Sequence, residues 1–132
     1  MIEEKMQILD IVARQMKERA SVLNSLISRE SLGIEGWFRI EIYHAMKLND
    51  IDVHIRNKGP DLVFDDFSFE LKAAQVSPAG WVRKEGLKYP GVDCLFLGPS
   101  SLIESLKPDH YRRIYDSWIV GILTAQPIEE VK

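Results

Sequence analysis

Three polar side chains interrupt an otherwise apolar stretch, GPDLVFDDFSFELKAA at residues 59–74: Asp61, Glu70 and Lys72. Phe64 and Phe67 flank Asp65-Asp66, and a two-residue turn there would set the pairing of the two arms. Residue 64 then faces 67, 63 faces 68, 62 faces 69 and 61 faces 70. Asp61 and Glu70 become cross-strand neighbours with Cβ atoms about 4.5–5.5 Å apart. Lys72, two residues on, projects from the same face. The opposite face collects Leu62, Phe64, Phe67, Phe69, Leu71 and Ala73 as core. Asp-Asp is not a favoured hairpin turn, so a longer loop with a shifted register is the competing arrangement. Two carboxylates that close repel by about 3 kcal/mol at an effective dielectric near 20. In a cleft they need a cation, either Lys72 or a metal, and carboxylate oxygens with room for waters suit Mg2+.

A further acid bears on this group. Glu41 falls with Trp37, His44, Ala45 and Leu48 on one face of a helix expected over residues 35–48. A glutamate on such a stripe is paired, used in chemistry, or reaches solvent from the stripe's edge. Facing the same cleft, it would make a third carboxylate.

Pro60-Asp61, eight residues, then Glu70-Leu71-Lys72 resembles the PD-(D/E)xK motif of the restriction-endonuclease-like nuclease superfamily. The resemblance implies an α/β fold: a helix carrying Glu41, a three-strand meander bearing the motif, then a helix and a further strand. It implies that Asp61 and Glu70 bind Mg2+ (with Mn2+ as a substitute), helped by the carbonyl of Leu71. Glu41 would hold metal or water, and Lys72 would orient or activate the attacking water. The implied activity is hydrolysis of phosphodiester bonds, as a DNA endonuclease of restriction, repair or junction-resolving type. A non-catalytic module of the same fold, binding nucleic acid or a protein, is the alternative. Gln75 lies near where some members place a useful glutamine.

The elements that must position these residues follow from pattern. Ile2, Met6, Leu9, Ala13, Met16, Ala20, Leu23 and Ile27 are spaced 4-3-4-3-4-3-4, a heptad stripe on a long N-terminal helix ending near Gly33. It reads as a core-facing helix, as two helices with a break, or as part of a homodimer interface. Short extended runs follow at 51–56, 61–64 and 67–73, then a helix from Ser77-Pro78 to Lys88. Residues 92–97 read as a strand buried on both faces, a helix opens at Gly98-Pro99-Ser100-Ser101, and 118–123 is a last strand. The expected protein is a single domain over 1–132: a helical segment over 1–33 and an α/β core over 34–126, with a mixed sheet flanked by helices.

Composition narrows the classes. The chain has 132 residues, 45% hydrophobic and 28% charged, with a net charge of −3, which excludes a surface coated in positive charge. Residues 60–75 hold four acids against Lys72, so the surplus lies in that hairpin. Arg83, Lys84 and Lys88 follow the motif strand and could approach backbone phosphates, with Arg39, Lys47, Arg56 and Lys58 extending that surface. Trp81 could stack on a base or pack in the core. His44, His54 and His110 lack zinc-site spacing. Cys94 lies in an apolar run and reads as a buried, inert thiol. No apolar run reaches membrane-spanning length and Met1-Ile2-Glu3-Glu4 is no signal peptide, so a cytoplasmic protein is expected.

Overall fold

β4 (Asp93–Pro99) and β6 (Trp118–Leu123) are almost continuously apolar because both of their faces are covered. Around them a computed structural model describes residues 2–27, 34–56, 58–73, 79–115 and 117–125. The sheet is completed by β1 (His54–Ile55), β2 (Leu62–Val63), β3 (Ser68–Ala73) and β5 (His110–Tyr115), in the order β1-β2-β3-β4-β6-β5. Neighbours are antiparallel except β3 and β4, which run parallel. That pair needs a crossover, supplied by α4 (Ala79–Gly86).

The hairpin register is the one the sequence implies. Leu62 pairs with Phe69 and Val63 with Ser68, and the N–H of Phe64 donates to the carbonyl of Phe67 at 2.9 Å. The three phenylalanines then meet on the core side. Phe64 stacks on Phe67 with centroids 4.9 Å apart, and Phe69 meets Phe67 edge-on at 5.5 Å.

Two helical layers sandwich the sheet. On one face α1 (Ile2–Glu18) and α3 (Ile34–Leu48) bury Ile8, Leu9, Val12, Met16, Phe38, Ile42 and Met46 against Leu62, Phe69, Leu71, Leu95 and Val120. On the other, α4 and α5 (Leu102–Leu106) bury Val82, Leu102 and Leu106 against Cys94, Phe96, Ile119 and Leu123. α3 ends with Asp50 at a positive φ of 55°; its N–H bonds the carbonyl of Lys47, and that of Ile51 the carbonyl of Met46. This closure turns the chain toward β1.

Several expectations need correction. Of the readings of the N-terminal stripe, two helices with a break is the one observed, in place of one long helix: α1 stops at Glu18 and α2 spans Ala20–Ile27. Between them the N–H of Arg19 is shared by the carbonyls of Gln15 and Met16, which tightens the turn. Leu9, Ala13, Met16 and Leu23 of the stripe are buried in the chain's own core. The stripe therefore gives no reason for a second copy, and α1 is part of the core rather than an appended segment. The expected end near Gly33 and the start at Ser77-Pro78 lie outside the described residues.

The core face of α3 is Phe38, Ile42, Ala45 and Met46, not the stripe through Trp37 and His44. His44 and Leu48 are exposed, because a helix with apolar residues nearly all round offers more than one stripe to read. β5 was not foreseen. Its HYRRIY sequence carries two arginines, and a half-exposed edge strand tolerates them. Among the described residues no helix is long and apolar enough to cross a membrane.

Where β4 crosses β6, Gly121 lies opposite Phe96. A Cβ there would sit 2.7 Å from Cε1 and Cζ of the Phe96 ring and 3.1 Å from the carbonyl oxygen of His110. Gly121→Ala should destabilise the protein by about 1–3 kcal/mol through overpacking. A denaturant melt that leaves the midpoint unchanged would contradict this packing.

Candidate functional site

β3 carries two sets of side chains. Phe69, Leu71 and Ala73 enter the α1/α3 core, so Glu70 and Lys72 must point the other way, toward the α4/α5 layer. On that face parallel pairing sets Glu70 beside Cys94 and Lys72 beside Phe96. α4 presses close: a Cβ on Gly86 would fall 2.5 Å from Sγ of Cys94 and 3.6 Å from Cγ of Lys72. Glu70 is therefore only 3% exposed and Lys72 8%. The second helical layer covers this face.

Asp61 stands at the start of the neighbouring arm. Its Oδ2 accepts the N–H of Leu71 at 3.0 Å, which fixes the carboxylate beside Glu70. Its Oδ1 lies 3.7 Å from the guanidinium of Arg39 on α3. Glu70 Oε2 meets Lys88 Nζ at 3.3 Å. The other Glu70 oxygen, Oε1, is buried with no hydrogen-bond partner, and so is Nε of Arg39. Among the described residues, two neighbours of Asp61 thus carry an orphan acceptor and an orphan donor. Such groups ordinarily hold a water or a ligand atom.

Lys72 pairs with neither Asp61 nor Glu70. Its Nζ reaches Oε1 of Glu35 at 3.4 Å and lies 5.6 Å from the ring centroid of Trp81. Trp81 is 42% exposed, so it forms a wall of the site rather than core. Glu35 and Arg39 are one helical turn apart on α3, and that spacing brings both to the hairpin. The i, i+4 pair is legible in the sequence, and it is Glu35, not Glu41, that reaches Lys72.

Glu41 is occupied elsewhere. Its Oε2 accepts from Nε2 of Gln15 at 2.6 Å and from Nε of Arg19 at 3.1 Å, so it ties α3 to the N-terminal helices. Six residues on a helix turn the side chain about 240° from Glu35, away from Lys72. Of the basic residues expected at phosphates, Arg83 donates to the carbonyl of Leu106, holding α4 to α5. Lys88 is the partner of Glu70, whereas Lys84, Lys47, Arg56 and Lys58 are exposed with no ion pair among the described residues. Gln75 lies outside the described residues.

Electrostatics follow from the burial. Desolvation pushes the Glu70 carboxyl up, and the adjacent Asp61 carboxylate pushes it further, to about 7. Lys88 opposes this without prevailing, and its own ammonium is held above the usual lysine range mainly by Glu70. Burial likewise pushes the Cys94 thiol up, so it stays protonated and unreactive.

A metal fits part of this arrangement. Among the described residues no three His, Cys, Asp or Glu side chains converge on one point. Two adjacent carboxylates with one unpaired oxygen suit a hard ion such as Mg2+, which keeps several waters and takes only one or two protein carboxylates. Concavities of about 510 and 360 Å3 border α1 instead. No family model matches the sequence, and no curated protein or solved structure is significantly similar to it.

A carboxyl raised on folding disfavours the fold where it must ionise. Glu70 therefore contributes full stability below its unfolded value of 4.5 and loses it as pH rises toward about 7. The loss is at most about 3 kcal/mol. Glu70→Gln should flatten that decline, and thermal melts of both proteins from pH 4 to 8 check it. Parallel curves would contradict the raised value.

Proposed function

We propose that this chain is a Mg2+-dependent nuclease with a restriction-endonuclease-like core, hydrolysing phosphodiester bonds of DNA. The observation that carries the reading is Glu70: a buried carboxylate with an unpaired oxygen, beside a pinned Asp61 and one residue pair from a buried lysine. The order helix, antiparallel three-strand meander, helix, parallel strand supports it, being the order the motif implies.

Asp61, Glu70 and the carbonyl of Leu71 would hold the metal, with Mn2+ as a substitute. Bound there, the ion would polarise a phosphoryl oxygen and lower the pKa of a water. The chain's own groups supply the rest. Asp61 is orientated in advance by the Leu71 N–H, so little reorganisation is needed on binding. Lys72 presents its ammonium within the same cluster and would orient the attacking water or stabilise charge on the phosphate. Glu35, rather than Glu41, is the helical acid that holds Lys72 in position. Lys84 is an exposed cation on α4 with no ion pair among the described residues and would meet the nucleic-acid backbone.

One observation favours a non-catalytic module instead. Asp61, Glu70 and Glu35 are matched in number by Arg39, Lys72 and Lys88, so the cluster is neutral without an added cation. Metal-dependent cleavage separates the two readings. Purified protein should nick DNA with Mg2+ or Mn2+ and stop on addition of EDTA. Lys72→Met keeps the apolar stem that packs by Gly86 and removes the ammonium; cleavage should fall at least about 100-fold with metal binding retained. Asp61→Asn should lose both. Absence of cleavage on any DNA form, with no effect of metal on the melt, would leave the binding module.

A further inference from the structure

We propose a second nucleic-acid contact, a phosphate-binding groove between α1 and the edge strand β5. Arg14, Lys17, Arg112 and Arg113 line a concavity of about 360 Å3 together with Asp10 and Ala13. Three of these cations, Arg14, Lys17 and Arg112, face a single carboxylate; Arg113 pairs with Ile119, projects from the other face of the sheet and borders the groove at the strand edge. Asp10 is already engaged, accepting from Nε of Arg112 at 2.8 Å, while another nitrogen of Arg112 donates to the carbonyl of Tyr111 at 2.9 Å. Arg112 is thus held in place, and Arg14, Lys17 and Arg113 are exposed with no ion pair among the described residues.

The grouping is unusual for this chain, whose net charge is −3. Charge on an edge strand discourages pairing with another strand, which accounts for Arg112 and Arg113. It does not account for Arg14 and Lys17, which approach the same groove from α1. Cations gathered on two elements repel one another and gain from a ligand that carries several negative charges. A single small anion would neutralise one or two of them. A nucleic-acid backbone offers a row of phosphates and releases counterions on binding. The inference does not depend on cleavage, since a non-catalytic module would use the same groove.

The test titrates end-labelled single-stranded and duplex oligonucleotides with the full chain in EDTA, at about 50 and about 200 mM salt. The double variant Arg14→Gln, Lys17→Gln is compared with Lys58→Gln, Lys107→Gln, which removes equal charge from exposed sites elsewhere. The groove variant should bind at least about tenfold more weakly and lower the slope of log affinity against log salt by roughly 1.5. The control should change neither by as much. Lys17→Gln alone repeats the test should the double variant fold poorly. Equal effects in groove and control variants would overturn the proposal, as would binding to anionic lipid vesicles but not to oligonucleotides. Failure here leaves the nuclease reading standing, because that reading is judged on metal-dependent cleavage.

Discussion

Glu70 occupies a position where the fold calls for an apolar side chain. Its neighbours on that sheet face are Cys94, Phe96, Ile119 and Leu123, and α4 and α5 cover them. A carboxylate there has lost most of its water, and the adjacent acid, Asp61, makes matters worse. The charges placed around it follow from this. Lys88 closes on one oxygen, Arg39 approaches Asp61 from α3, and Glu35 holds Lys72 close by. An apolar residue at position 70 would need none of these.

The scaffold keeps that arrangement from relaxing. β3 is paired on both edges, antiparallel to β2 and parallel to β4, so Glu70 cannot shift register without moving Phe69 and Leu71 out of the larger core. Asp61 is tied by its carboxylate to the backbone of the next strand. Gly86 lets α4 approach within contact of Cys94, which seals the cluster from one side, and Trp81 bounds it from another. Strain of this electrostatic kind, held by rigid packing, is what a site prepared for a cation or a phosphate would contain.

Much of this could be read from the sequence where one physical rule dominated. Alternation through residues 59–74 placed the two faces of the hairpin and its register, and continuous apolarity marked β4 and β6. The readings failed where several patterns fitted equally. α3 is apolar nearly all round, so its inward stripe was misjudged, and with it the acid that reaches the site. Glu41 looked costly in the sequence because its partners, Gln15 and Arg19, are more than twenty residues away. β5 was hidden by arginines that an edge strand accepts, one of which, Arg112, reaches Asp10 of α1. The burial of Lys72 depended on α4 folding back over β3, a long-range contact that no local pattern records.

The central claim is that the Glu70 carboxyl is held in an unfavourable charge state that a divalent cation would relieve. Carboxyl-carbon NMR of labelled protein, titrated from pH 4 to 9 with and without Mg2+, measures this directly. Without metal, Glu70 should titrate near 7, well above an ordinary glutamate. With saturating Mg2+ its midpoint should fall by at least about one unit, because the ion favours the charged form. A normal midpoint in the free protein, or one that Mg2+ leaves unmoved, would contradict the account.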